Sequence, residues 1–397
     1  MSLQVSSRPG LVHYYAWLLL LFAASNAPLV AQQAQTNSKS AQYKTAQDLK
    51  GALDQVDSLF RDEFAKYKFV GMTIGVVSGP QLVWTKSYGL ADVTTHAAVS
   101  QNSTYRVGSI TKQFTAIMLL QLVQQGKVHL SDSIEKYYPE FHEIPNPFPG
   151  AVPVTLLQLA THTAGLAREP DDTAAYTTGS IKDWEEILHS ALPHVRFQYE
   201  PGTRFNYSNI GYAILGAALG RAAGKPYTRY VEDHILKPLG MNHTGFEPSG
   251  TLAKGYVLSD TGPDPSAPAS ELRSGRGYKV PNGALFSSVP DMARFVELEM
   301  GDGPDQVLKR SLITDSLSRV YTAKSDLSFG YGIGFAAYND KDVLTLGHDG
   351  SVAGYEAQAY FSPASHIGVI CLTNTTIPTD ITLKDTILSA LKLLAED

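Results

Sequence analysis

One apolar stretch, from Tyr105 to Gln125, restricts the fold more than any other part of the chain. Gly108-Ser109 reads as a helix entry, and Ile110, Phe114, Ile117, Met118 and Val123 recur near helical spacing until Gly126 offers a stop. Ala116, Leu119, Leu120 and Leu122 fill the other positions, so no side of the helix is strongly charged. A helix with that pattern is predicted to be buried between layers, with the rest of the chain arranged around it.

Ser109 and Lys112 stand three residues apart on this helix, on one face and within reach of each other. A serine hydroxyl is a poor nucleophile until a base takes its proton. A lysine serves as that base when burial or a neighbouring cation lowers its pKa. The helix start adds free N–H groups and a partial positive charge suited to an oxyanion on an attacked carbonyl. The pattern Ser-x-x-Lys is weak alone, because Ser133–Lys136 and Ser389–Lys392 repeat it. Around Ser133, Ser131 or Asp132 reads as a helix cap and Lys136 as a solvated residue, while Ser389 lies in a polar-faced C-terminal helix. Only Ser109 has a glycine before it and an apolar helix behind it.

Two further stretches carry polar groups of the right kind. Phe205 to Gly216 places Tyr207 and Asn209 just ahead of another apolar helix. A tyrosinate is a base or proton shuttle if cations such as Lys112 lower its pKa, and Asn209 offers both a donor and an acceptor to an amide. The bland alternative is a packed tyrosine with Asn209 as a cap. Near the C-terminus, Leu346-Gly347-His348-Asp349-Gly350-Ser351 ends one strand-like run and Gly354-Tyr355 opens the next. There His348 is a candidate proton donor or partial positive charge, Gly350 allows close backbone approach, and the Ser351 N–H is a candidate second oxyanion donor. His243-Thr244-Gly245 has similar letters but follows a helix and reads as a turn.

The chain has 397 residues, 43% hydrophobic and 18% charged, enough to bury a core for one large domain or two. Its 32 Lys and Arg against 38 Asp and Glu give a net charge of −6, with no basic excess for nucleic-acid binding. Arg8, the apolar run Leu11–Ala24 and Leu29-Val30-Ala31 have the parts of a secretory signal peptide over residues 1–31, whose removal changes the charge from −6 to −7. An uncleaved anchor is the alternative, although Ser25, Asn26 and Pro28 shorten the apolar run below the ~20 residues of a spanning helix. No stable membrane span is expected after cleavage, so the protein is expected to be exported, periplasmic or secreted. Cys371 is the only cysteine, which excludes an internal disulfide.

Residues 32–46 lack periodicity and read as a disordered leader. Helical spacing over Leu49–Lys68 precedes a hairpin of Phe69–Val77 and Leu82–Tyr88. From Leu130 to about Val280, helical pieces alternate with loops at Pro145–Pro153, Arg168–Gly179 and Asp260–Pro268. A helix near Val289–Met300 follows, then strand-like runs at Tyr331–Tyr338, Val343–Leu346, Gly354–Phe361 and His366–Thr373, and a helix from about Pro378 to Leu394. Strands at both ends with helices between them predict an α+β fold, one antiparallel sheet flanked by helices and interrupted by a mostly helical inserted domain. The expected boundaries are 47–129 and 281–397 for the α/β domain and 130–280 for the insertion.

Taken in order, Ser109-Ile110-Thr111-Lys112, Tyr207-Ser208-Asn209 and His348-Asp349-Gly350 resemble the serine β-lactamases, penicillin-binding proteins and their relatives, specifically the class C β-lactamase-like branch that also holds DD-carboxypeptidases, D-aminopeptidases and esterases. The supporting stretches Leu156–Leu166, with His162-Thr163-Ala164-Gly165-Leu166, and Pro281–Ser288 extend the likeness to roughly residues 50–395. The resemblance implies an acyl-enzyme mechanism without metal or cofactor, acting on a small-molecule or peptide substrate. Ser109 attacks, Lys112 and Tyr207 move its proton, Asn209 holds the acyl side, and the N–H groups of Ser109 and Ser351 form the oxyanion hole; which of Lys112 and Tyr207 is the base stays open. His162 is taken as structural. No Gly-x-Ser-x-Gly or His-Glu-x-x-His motif points instead to an α/β-hydrolase or a zinc peptidase.

Two departures bear on substrate. His348 and Asp349 stand where the family carries Lys and Thr, which weakens the case for a β-lactamase. An Asp349 lining the cleft is expected to repel a substrate carboxylate and favour esters or neutral amides; the alternative is that it turns away along the strand. Cell-wall peptides or β-lactams are the alternative substrates, and a non-catalytic binding protein on the same scaffold is the alternative of another class.

Overall fold

The computed structural model describes residues 43–148, 150–171, 178–259, 261–340, 343–376 and 383–396. The expected signal segment and most of the leader lie outside them. From Lys44 onward the chain forms one unit, built on a nine-stranded sheet with the order β3-β2-β1-β9-β8-β7-β6-β5-β4. In chain order these are β1 Gly71–Ser78, β2 Gln81–Asp92, β3 Ala97–Ala98, β4 Thr322–Ala323, β5 Phe329–Tyr331, β6 Ala336–Asp340, β7 Val343–Val352, β8 Tyr355–Ser362 and β9 Ile367–Thr373. Every neighbouring pair is antiparallel. The β1–β9 pairing, with Ile74 opposite Cys371, joins the two ends of the chain.

Alternation along β1 and β9 sorts the side chains to two faces. Met72, Ile74, Val76, Val369 and Cys371 pack behind the sheet with α1 (Lys50–Lys66) and a C-terminal helix, Lys384–Glu396. Lys44 donates to the Leu394 carbonyl at 3.3 Å, so the last residues of the expected leader are tied to that helix. In front lie α2 (Thr111–Gln124), α3 (Asn209–Ala223) and α4 (Val289–Glu299), with a larger apolar cluster. α2 is buried from Thr111 to Leu122, as its uncharged pattern requires, and Phe114 stacks on Phe295 of α4 with ring centroids 3.8 Å apart. We call the C-terminal helix α5.

Three local expectations need correction. The run Tyr331–Tyr338 is two strands, because Gly332 to Phe335 turn the chain; Gly334 has φ +83°, and a Cβ there would meet the Ala116 side chain of α2 at 2.6 Å. The stretch Asp260–Pro268 is not all loop. Tyr256–Ser259 and Gly262–Asp264 form a hairpin that joins Thr375–Thr376 in a small sheet, and helix Ser266–Ser274 begins at once. Pro268 lies in that helix's first turn, where its missing N–H costs nothing. Around Ser133 the cap is Ser133 itself, whose hydroxyl accepts from the Glu135 N–H, while Asp132 pairs with Lys136 at 3.1 Å. The last helix begins at Lys384, and the expected start at Pro378 lies outside the described residues. Among the described residues no helix is long and apolar enough to cross a membrane.

Candidate active site

Ser109 sits in a 3-10 turn, Gly108–Ile110, that runs into α2, so the helix proper begins two residues later than its sequence pattern suggests. Gly108 makes the turn with φ +52°. The turn is fastened to the segment around Leu285: the Val107 N–H donates to the Leu285 carbonyl at 3.0 Å, and Thr111 Oγ1 accepts from the Leu285 N–H at 3.2 Å. Strand β7 lies directly against it. A Cβ on Gly350 would fall 2.0 Å from the Val107 oxygen and 3.0 Å from the Ser109 nitrogen, and one on Gly108 would fall 3.0 Å from the Ser351 nitrogen. Only glycines allow this approach, which brings the N–H groups of Ser109 and Ser351 to one crevice. Pairing of β7 with β6 ends at Gly347, so from His348 onward β7 borders the crevice with an open edge.

Lys112 is fully buried, its Nζ 3.0 Å from Ser109 Oγ and 3.1 Å from the Asn282 carbonyl. Burial, reinforced by the Arg168 charge, holds its pKa well below the usual lysine value. A neutral amine beside a hydroxyl can take that hydroxyl's proton. The Tyr207 hydroxyl lies near Ser109, and the Lys112 amine is 4.8 Å from the centre of the Tyr207 ring. Desolvation pushes the phenol's pKa up despite the nearby Ser109 hydroxyl and Arg168 charge. The tyrosinate considered from sequence is therefore disfavoured, and of the two groups the lysine is the better base.

The loop that carries Tyr207 is held by the stretch around His162. The His162 carbonyl accepts from the Asn206 N–H at 2.7 Å, and its ring Nδ1 accepts from the Ser208 N–H at 3.0 Å. Asn206 Nδ2 donates to the Leu166 carbonyl and Ser208 Oγ to the Ala167 carbonyl, both at 2.7 Å. The imidazole packs 4.2 Å from the Tyr207 ring and is kept neutral by burial. Ser208 also caps α3 by accepting from the Gly211 N–H, so Asn209 is the first residue of that helix.

His348 faces the same side as Gly350, but not as a charged donor. Its Nδ1 lies 2.5 Å from the Asp349 carbonyl and its Nε2 3.0 Å from the Tyr331 hydroxyl. Nδ1 therefore carries the proton and Nε2 accepts from Tyr331. Burial lowers its pKa, so the positive charge considered from sequence is absent at neutral pH. Asp349 is the one site candidate that the structure does not bring to Ser109. Strand alternation turns it to the other face, where it is exposed and accepts from the Tyr360 hydroxyl at 3.2 Å. The expected repulsion of a carboxylate by direct contact thus loses its basis. Ser351 Oγ donates to Glu356 at 2.7 Å, and burial pushes the Glu356 carboxyl up to about 8.

Sequence reading missed three residues at this site. Asn282 links Lys112 to Asn209, its carbonyl taking the Lys112 bond and its Nδ2 donating to the Asn209 carbonyl at 2.9 Å. It lies in the Pro281–Ser288 stretch, which carried the family likeness but no stated role. Arg168 places its guanidinium 4.8 Å over the Tyr207 ring, and Glu169 accepts from Asn209 Nδ2 at 2.7 Å. Both open the Arg168–Gly179 stretch, where nothing in the local pattern separates them from solvated charges. Among the described residues, no three His, Cys, Asp or Glu are grouped to hold a metal.

The fold and this crevice define a scaffold with a serine hydroxyl, a buried lysine and two backbone donors at one point, a set able to support acyl transfer. Comparison with known proteins agrees on the class. The chain belongs to the Beta-lactamase family, whose model matches residues 56–393. It is 26% identical over 327 residues to Protein flp of Staphylococcus aureus (strain MW2), covering 81% of this chain and 62% of that protein. It is 28% identical over 335 residues to Beta-lactamase-like protein 2 of Dictyostelium discoideum, covering 81% of this chain and 59% of the other. The chain thus spans about three fifths of the length of these relatives. Among solved structures, the octameric penicillin-binding protein homologue from Pyrococcus abyssi superimposes with a TM-score of 0.74 at 27% identity, over 87% of this chain and 78% of the other.

Proposed function

We propose that this protein is an exported serine hydrolase that cleaves an ester, amide or peptide through an acyl-enzyme on Ser109. The observation that carries this reading is the buried Lys112, with its depressed pKa, 3.0 Å from the Ser109 hydroxyl. Lys112 accepts the hydroxyl proton as Ser109 Oγ bonds to the substrate carbonyl carbon. The carbonyl oxygen takes the negative charge between the N–H groups of Ser109 and Ser351. As the intermediate collapses, the bond to the leaving group breaks and the proton passes to it through Tyr207. Water then attacks the ester by the reverse route, and its proton returns to Ser109.

Labelling with a fluorophosphonate and mass mapping of the adduct tests this. The expected result is a single adduct on Ser109, none in Ser109→Ala, and labelling unchanged in Ser133→Ala and Ser389→Ala. Hydrolysis that survives Ser109→Ala overturns the mechanism. Export is supported by the composition of residues 1–31 alone; a mature chain beginning near Gln32 on N-terminal sequencing is the expected result, and an intact Met1 in the membrane fraction would favour the anchor.

A further inference from the structure

At the end of α2 remote from Ser109, the last turn of the helix meets two other segments around a pocket of about 300 Å³, the lower end of the size range of small-molecule sites. Gln121, Gln124, His234 and Gln306 give it polar walls, and Pro238 and Val307 an apolar one. None of its lining residues carries a carboxylate, an ammonium or a guanidinium. Gln121 and Gln124 stand three residues apart on one face of the helix, and each is held one way round by its partners. Gln121 Nε2 donates to the carbonyls of His234 at 3.0 Å and Val307 at 2.8 Å, so the group facing those two acceptors is the amino group. Gln121 is 4% exposed, and its Oε1 has no partner among the described residues. Gln124 is turned the opposite way, its Oε1 accepting from the Lys309 N–H at 3.1 Å, which leaves its Nε2 to donate elsewhere. One carboxamide thus keeps a free acceptor and the next a free donor.

His234 adds a second donor. It lies in the π-turn Glu232–Leu236, a distortion of the helix that recurs at functional sites. Lys225 Nζ is 3.3 Å from its Nε2, and since an ammonium only donates, Nε2 accepts and Nδ1 carries the proton. Burial and the Lys225 charge hold the imidazole below its usual pKa, and Lys225 is itself paired with Asp233 at 3.2 Å, so the ring is neutral at pH 7. We infer that this pocket binds a small uncharged carboxamide, whose N–H reaches Gln121 Oε1, whose carbonyl accepts from Gln124 or His234, and whose apolar part rests on Pro238 and Val307. A carboxamide edge sets one donor beside one acceptor, the complement of the free ends of the two glutamines. A carboxylate of the same shape brings no donor to the buried oxygen and finds no cation in the lining, so it is rejected. The 14 residues of α2 put roughly 20 Å between this pocket and Ser109, and the site does not depend on the hydrolase reading.

The test is saturation-transfer NMR on the full chain, titrated with benzamide, with N,N-dimethylbenzamide, which lacks the N–H, and with benzoate. Benzamide is expected to bind the wild type, and the other two to bind at least about tenfold more weakly, the scale of one buried hydrogen bond lost. In Gln121→Met the buried acceptor is gone, and the preference for benzamide over its dimethyl analogue is expected to fall within about twofold of unity. Should that variant fail to fold, Gln306→Trp keeps the proposal open to refutation, because residue 306 is exposed and the larger ring fills the pocket; benzamide binding is expected to be lost there. No benzamide binding to the wild type, equal binding of benzamide and its dimethyl analogue, or benzamide binding undiminished in Gln306→Trp overturns the inference.

Discussion

Behind the sheet, β1 and β9 turn Met72, Ile74, Val76, Val369 and Cys371 into an apolar layer under α1 and α5. In front, the same sheet faces a core that holds a buried amine at Lys112, a buried imidazole at His348 and a buried acid–amide pair at Gln113 and Glu299. Both layers exclude water. The rear layer draws its stability from transferred apolar area, about 2–3 kcal/mol for a side chain such as Ile74, whereas the front layer holds ionisable groups in the protonation state that burial prefers, at a cost that depends on pH. Residues of the rear layer hold the fold, and the ionisable residues of the front layer are held at the fold's expense.

The largest expected effect comes from Gly350→Ala. The added carbon would overlap the Val107 oxygen, so β7 must withdraw from the Ser109 turn and the two backbone donors part. Turnover is expected to fall by about 10²–10³, the scale of a lost oxyanion donor, with α-helical circular dichroism unchanged. Full activity in that variant would mean the close approach is dispensable.

Lys112→Met sharpens the contrast between the layers. Loss of the base should lower kcat/KM by at least about a hundredfold, yet the variant should be more stable at pH 7. The folded pKa of Lys112 is depressed, so its contribution is intact above the unfolded lysine value of about 10.4 and is lost as pH falls through the folded value. The gain in Tm over wild type should therefore shrink as the pH is raised toward that value. Equal melting at every pH would refute the front-layer half of the comparison.

Ile74→Ala probes the rear layer. It is expected to lose about 2–5 kcal/mol by denaturant unfolding, with kcat/KM of the folded fraction within about twofold of wild type. A selective loss of activity would show that the layers are coupled.

Glu299→Gln is the smallest change. Gln113 Nε2 donates to Glu299 Oε1 at 2.8 Å, the remaining oxygens of both groups have no other partner among the described residues, and burial pushes the carboxyl well up. A neutral acid that donates back to the amide satisfies all four atoms. Its contribution is present below the unfolded glutamate value of about 4.3 and lost as pH rises through the folded value. Glu299→Gln should be more stable than wild type near pH 8 and no more stable near pH 4.

What sequence made legible follows the same division. The hairpin of β1 and β2, the buried α2 and the terminal helix were readable because apolar periodicity states which side faces a core. Ser109, Lys112, Tyr207 and Asn209 stood out because their short patterns adjoin such helices. The split of Tyr331–Tyr338 was hidden because Tyr331, Ile333 and Phe335 keep a strand-like alternation through Gly332 and Gly334, and the close approach of Gly334 to Ala116 of α2 shows only in the fold. The direction of Asp349 was not decidable until the register placed His348 and Gly350 toward the crevice. Glu169 was invisible for a similar reason, its partners Tyr278, Lys279 and Asn209 coming from two distant segments.

The pairing of β1 with β9 also sets an order of events in time. During synthesis Ser109 and Lys112 emerge first, and the strand that completes their crevice and the one that zips the sheet shut appear only after the whole segment between Gln125 and Val343 has been made. Sheets closed by partners so distant in sequence form slowly, because the long loop must be gathered before any contact rewards it. A nascent chain thus carries its nucleophile and amine unassembled until those strands pair. On the hydrolase reading, such late closure keeps Ser109 unreactive until the last strand of the sheet has paired.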